Sequence, residues 1–148
     1  MVFLHSHRNG HPIPEEPGRI DYSAVELVTE LRQDFVLQEG FVNLRCRRSP
    51  GCPADIEPFR GSANTANVGE QYYAAAWKEL FGNNKVPKVI GAPCCSQFAV
   101  SREAVLKRPL ADYQRMYDWV LHNTLPDEVT SNIMEYTWHI IFGKDPVL

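Results

Sequence analysis

From Ser101 to Gly143 the chain repeats apolar residues at helical spacing almost without interruption, and no other feature constrains its fold as much. Ser101 is a hydroxyl N-cap ahead of a short helix from Arg102 to Lys107. Pro109 starts the next helix in its first turn, where a missing N–H costs nothing. In that helix Leu110, Tyr113, Met116, Tyr117, Val120 and Leu121 form a broad apolar stripe. Leu125-Pro126-Asp127 is a turn, and a final helix is predicted from about Thr130 to Phe142, stopped by Gly143. Such a layer must bury its apolar side against a partner layer.

The upstream sequence supplies that partner. Val2-Phe3-Leu4-His5 and Phe41-Val42-Asn43-Leu44 are rich in β-formers, and Val89–Pro93 with Gln97–Val100 predict one or two further strands. Ser23-x-x-Glu26 is a capping box, followed by Leu27, Val28, Leu31 and Phe35 at helical spacing, which predicts one helix over 23–36. Glu70 to Phe81 repeats the pattern through Tyr73, Ala76, Trp77 and Leu80, and Gly82 ends it. Between these elements, His7–Pro17 and Cys46–Val68 carry proline and glycine punctuation and no period, so both are predicted as loops. The expected class is α/β, a small mixed or parallel sheet with a helical C-terminal layer, forming one domain over residues 1–148. A strand that begins directly after Met1, with nothing ahead to cover it, is also expected to belong to the C-terminal part of a larger domain.

Composition matters mainly for what it excludes. With 44% apolar and 22% charged residues in 148, the chain is neither a disordered tail nor a coiled coil. A net charge of −3 excludes a broadly basic nucleic-acid surface and leaves only local clusters. These are Arg45, Arg47 and Arg48, then Lys85 and Lys88, then Arg102, Lys107 and Arg108. No apolar run reaches the length of a membrane span and the first residues are unlike a signal peptide, so a cytoplasmic, membrane-free protein is expected. In that compartment Cys46, Cys52, Cys94 and Cys95 are expected as four free thiols. The Cys46–Cys52 spacing is off-pattern for structural zinc, and no Asp-x-Asp or glycine-rich phosphate loop is present, so neither a resident metal nor a cofactor is expected.

Three groups carry candidate chemistry. His5, His7 and His11 fall at the end of a strand and the start of a loop, where imidazoles can move protons or contact a ligand. Cys94-Cys95-Ser96-Gln97 lies between a strand and a helix; its cysteines are either small buried apolar groups or, near a helix start, activated thiols. Glu135 and His139, four apart on the last helix, share a face and suit acid/base work or the orientation of a polar substrate. Asp127 and Glu128 add carboxylates at that helix's start.

Phe3-Leu4-His5-x-His7-Arg8-x-x-His11, Gly40-Phe41-Val42-Asn43-Leu44-Arg45-Cys46 and Pro50-Gly51-Cys52-Pro53 carry a resemblance, as do Ala92-Pro93-Cys94-Cys95-x-Gln97-Phe98-Ala99-Val100-Ser101-Arg102 and Met134-Glu135-Tyr136-x-Trp138-His139-x-Ile141-Phe142-Gly143. Together, through almost the whole chain, they resemble the fungal family filed as domain of unknown function 3431. The resemblance implies fungal secondary metabolism and an association with arginine-containing cyclodipeptide synthases, which join two aminoacyl groups from charged tRNAs into a diketopiperazine. The Asp-Asp-x-x-Glu motif associated with those enzymes is absent; Asp127-Glu128 with Glu135 is the nearest acidic set. On this reading Glu135, helped by Asp127 or Glu128, holds the arginine guanidinium, and His5 or His139 moves the proton of the attacking amine. His7, His11, Cys95, Gln97 and Arg102 complete the substrate contacts, and arginyl-tRNA is the expected partner. The rival expectations are a glycosyltransferase-like enzyme and a truncated, non-catalytic relative that acts as an accessory or binding protein.

Overall fold

The structure, a computed structural model, describes residues 1–6, 8–10, 12–13, 16–20, 23–44, 56–61 and 67–148. His7, His11, Cys46, Cys52 and the Arg45/Arg47/Arg48 cluster lie outside the described residues.

Strands β1 (Val2–Phe3), β4 (Phe41–Asn43) and β5 (Phe98–Val100) form a three-stranded sheet in the order β1-β5-β4. Both neighbours run antiparallel to β5, with Phe3 and Asn43 opposite Phe98 and Val2 and Val42 opposite Ala99. The α/β class with a helical C-terminal layer holds, but the expected mixed or parallel pairing gives way to antiparallel pairing of the named strands. Apolar alternation determines which side chains share a face and leaves strand direction open. Here the alternation splits the sheet cleanly. Phe41, Phe98 and Val100 enter the main core, while Ala99 and Val42 pack with Val36, Leu44, Leu27 and Leu31 on the other side.

That second side is covered by α1 (Ala24–Thr29) and α2 (Gln33–Glu39). The single helix expected over 23–36 is two, because Arg32 is extended (ψ 93°) and starts a new helix. Ser23 does cap α1, its hydroxyl accepting from the Glu26 N–H at 3.4 Å. Ahead of it, β2 (Pro12–Ile13) and β3 (Glu16–Ile20) pair as an antiparallel ribbon where a loop was expected. A two-stranded ribbon has two open edges, so Pro12 and Pro17 need not interrupt its ladder.

On the first side, α3 (Glu70–Phe81) runs as its spacing predicts, ending at Gly82 in the left-handed region (φ 64°). It packs against α5 (Leu110–His122) and α6 (Asp127–Glu135). The short α4 (Arg102–Leu106) connects β5 to α5, with the Ser101 hydroxyl accepting from Ala104 N–H at 3.1 Å. The final helix expected over 130–142 is interrupted: α6 ends at Glu135 and α7 (Trp138–Ile141) restarts after Thr137. The Thr137 hydroxyl donates to Ile133 O at 2.6 Å, a back-bond of the type that bends helices. Tyr73, 1% exposed, donates its hydroxyl to Tyr136 O (3.1 Å) and sits 2.9 Å from Thr137 Oγ1. The break is therefore held from α3, not left to the local sequence.

Candidate active site

The turn that precedes β5 organises the site. Cys95 and Ser96 both adopt positive φ, 84° and 47°, a conformation that side chains other than glycine rarely take and that needs support from its surroundings. Three supports are present. The sulfurs of Cys94 and Cys95 are joined in a disulfide. The Cys95 N–H donates to Glu135 Oε1 at the end of α6, and His5 Nε2–H donates to the Cys95 carbonyl at 2.5 Å. The expectation of four free thiols is corrected at this pair: the left-handed turn folds Cys95 back so that adjacent sulfurs meet.

His5, Cys95 and Glu135, from the segment after edge strand β1, a turn and a helix end, thus meet at the two ends of one residue. His5 is exposed, whereas Cys95 and Glu135 are half-buried. His139 does not join them. The helix break sends it into the interior at 1% exposure, where its Nε2–H donates to Pro146 O at 3.0 Å. Burial pushes its pKa below the ordinary imidazole value, against a smaller opposing effect of that bond, so it is a neutral tie on the C-terminal segment. Gln97 is also 1% exposed, and neither its side-chain oxygen nor its nitrogen has a hydrogen-bond partner among the described residues. Arg102 lies elsewhere, exposed beside a shallow hollow of about 280 Å³ between β1 and α2.

A larger cavity, about 750 Å³, opens between α5, α6 and α7, with Ser96 on its wall. That volume falls in the range of small-molecule sites. Tyr113, Met116 and Tyr117 line it from α5, and Met134 and Trp138 from the opposite side. Among the described residues Asp127, itself exposed, is the one charged side chain on this otherwise apolar and hydroxyl-bearing wall. Glu128, one residue on, is exposed and does not line it. In the sequence Tyr113 and Tyr117 read as members of one apolar stripe. Tyr117 is 60% exposed, and the Tyr113 hydroxyl reaches out to Val105 O at 2.9 Å.

The basic residues divide. Lys85, Lys88, Arg102 and Lys107 are exposed. Arg108 is committed: it donates to Ile141 O (2.8 Å) and Ile140 O (3.3 Å), pairs with Asp112 at 3.3 Å, and lies over the Phe81 ring.

The fold and site define an α/β protein with a helix-walled, aromatic pocket beside a vicinal-disulfide turn. From residue 1 to residue 148 the chain matches the family described as Protein of unknown function (DUF3431), and it belongs to that family. No curated protein and no solved structure matches it. No helix among the described residues is long and apolar enough to cross a membrane.

Proposed function

We propose that the chain is a cytoplasmic biosynthetic transferase of fungal secondary metabolism, a tRNA-dependent synthase that joins an arginyl group to a second aminoacyl group as a cyclodipeptide. The observation that carries this reading is Asp127 on the wall of the 750 Å³ cavity, facing the same space as Tyr113, Tyr117 and Trp138. A guanidinium asks for that combination, a carboxylate to accept its N–H groups and flat aromatic faces to stack on. The methionines Met116 and Met134 suit its aliphatic stem. Asp127 then takes the role that sequence reading gave first to Glu135, which does not line this cavity and whose Oε1 accepts the Cys95 N–H.

In this reaction the α-amine of one aminoacyl group attacks the ester carbonyl of the other, and the tRNA hydroxyl leaves. Repetition with the second ester closes the six-membered ring. His5, the imidazole that contacts the 94–96 turn among the described residues, takes the proton of the attacking amine; Glu135 acts as a positioning residue that fixes Ser96 on the cavity wall. Exposed Lys85, Lys88 and Lys107 are available to tRNA phosphates.

The test incubates the protein with arginyl-tRNA and a mixture of other aminoacyl-tRNAs and reads products by mass spectrometry. A diketopiperazine containing arginine is expected. Asp127→Asn keeps the shape and removes the charge, and should lower the yield roughly 10-fold or more, as loss of one charge-assisted contact does. Transfer from a sugar nucleotide instead would replace this reading with the glycosyltransferase-like one. Product from neither donor would leave an accessory binding protein.

A further inference from the structure

The turn at residues 94–96 also brings together a ligand set that an arginine pocket does not need. The sulfurs of Cys94 and Cys95 and a carboxylate oxygen of Glu135 all lie within 4.8 Å of one another. Cys94 is 6% exposed, and Cys95 and Glu135 are half-buried, so the three face a partly desolvated spot. Their arrangement does not rest on the sulfur–sulfur bond alone, because the Cys95 N–H is held by Glu135 and the Cys95 carbonyl by His5.

We propose that the reduced form of this turn is a binding site for one thiophilic divalent cation of the zinc class, with the Cys94 and Cys95 thiolates and the Glu135 carboxylate as ligands and a fourth position open to solvent. Tetrahedral zinc, with bonds of about 2.3 Å to sulfur and about 2.0–2.2 Å to oxygen, spaces its ligand atoms roughly 3.6–3.8 Å apart. The three atoms already lie within 4.8 Å of one another, and the main movement required is parting of the two bonded sulfurs. Two thiolates beside one carboxylate select zinc-class ions over magnesium or calcium, which take oxygen ligands.

Disulfide and ion exclude each other. An external dithiol, such as a thioredoxin-class protein, reduces the Cys94–Cys95 bond: the S–S bond breaks, two thiols form, and the donor leaves as its own disulfide. The thiols then release two protons as the cation binds. Disulfides in reducing compartments are usually transient and redox-active, so in the cytoplasm the dithiol, and with it the ion site, is the resting state. The inference does not depend on which substrate fills the cavity.

The test uses the full chain and the metal alone, without tRNA. Protein reduced with a phosphine and desalted under nitrogen is titrated with Zn(II) against a chromophoric chelator, and with Cd(II) while thiolate-to-metal absorption is followed. One equivalent is expected in the reduced protein and none at the same concentrations in the oxidised protein. Cys94→Ser should abolish it, and Glu135→Gln should weaken it by roughly 10–100-fold, at least the loss seen for outer ligand partners. Cys46→Ser/Cys52→Ser should keep the full equivalent. Should a variant fail to fold, alkylation mapping of the unaltered chain decides, since Zn(II) should shield Cys94 and Cys95 and leave Cys46 and Cys52 reactive. No binding after reduction, binding that survives Cys94→Ser, or shielding of Cys46 and Cys52 instead would each overturn the proposal.

Discussion

Replacing Tyr73 with phenylalanine removes one oxygen from the α6–α7 break and leaves the ring in place. That hydroxyl is buried and donates to Tyr136 O at 3.1 Å while touching Thr137 Oγ1 at 2.9 Å. The Thr137 proton is already given to Ile133 O, so the single Tyr73 hydroxyl proton is shared between Tyr136 O and Thr137 Oγ1. A typical internal hydrogen bond contributes about 1 ± 0.5 kcal/mol net, and a buried acceptor that loses its donor costs about 1–3 kcal/mol. Thr137 keeps its bond to Ile133 O, which places the expected loss near the low end, at about 1–2 kcal/mol. For a chain of this size each kcal/mol moves Tm by roughly 2–4 °C, so Tyr73→Phe should melt roughly 2–8 °C lower. Urea denaturation followed by near-ultraviolet circular dichroism gives the free energy directly. Thr137→Val and the double variant complete a cycle, and groups in hydrogen-bond contact should couple by at least about 0.5 kcal/mol. Strict additivity, or a single-variant loss below about 0.3 kcal/mol, would refute the claim that α3 holds the break.

The remaining expectations concern the interior and its charges. His139 has its pKa lowered by burial, so the folded chain takes up its proton less readily than the unfolded chain, where imidazole titrates near about 6.5. Its contribution to stability is whole above that pH and declines as pH falls below it, since the unfolded state is protonated first. His139→Gln should flatten the dependence of Tm on pH between about 5 and 6.5, and an unchanged slope would count against it. Gly69→Ala would set a Cβ 2.6 Å from Asn132 Oδ1 and 3.0 Å from Ile133 Cγ1. It also disturbs the bond from Gly69 N–H to Asn132 Oδ1 at 3.0 Å, so thermal melts should register a loss of about 1–3 kcal/mol. Glu70, 3% exposed, accepts from the Glu57 N–H (2.8 Å) and from Arg60 Nε (2.8 Å). Glu70→Leu leaves both donors without this carboxylate and should cost about 1–3 kcal/mol, since Arg60 stays partly solvated and keeps Glu57, whereas Glu57→Gln, at the exposed side of the same arginine, should change stability by less than about 1 kcal/mol.

Local signals were enough for the elements whose partners hardly matter. Glu70–Phe81 carries its own period and its own stop at Gly82, and Ser101 caps α4 as a serine in that place should. The sequence failed where the cause lies far along the chain. The break at Tyr136–Thr137 is held by Tyr73 from α3, and its one local sign, the Thr137 hydroxyl, does not by itself announce it. The direction of β5 against β1 and β4 is decided by pairings across more than fifty residues, about which alternation is silent. At the site, the segments were legible and their use was not. His5, Cys95 and Glu135 were each singled out and do meet, but the bridging of Cys94 to Cys95 depends on a left-handed turn that the residue types disfavour. The apolar stripe of α5 was read as core throughout, although part of it lines open space beside Asp127.

Arg108 has a bearing on how quickly and how selectively the cavity can fill. Its guanidinium reaches from the α4–α5 junction to the last carbonyls of α7 and rests on Phe81 at the end of α3. The helices on opposite sides of the cavity are therefore riveted at one end, and swinging them apart would strip two carbonyls and an aromatic face of their partner. The chamber's width is set before any guest arrives. Admission falls to side chains at the mouth, above all Tyr117, which can rotate within nanoseconds without moving a helix. A guest of the right girth should associate without waiting for slow backbone opening, and one slightly too wide should be refused outright rather than accommodated.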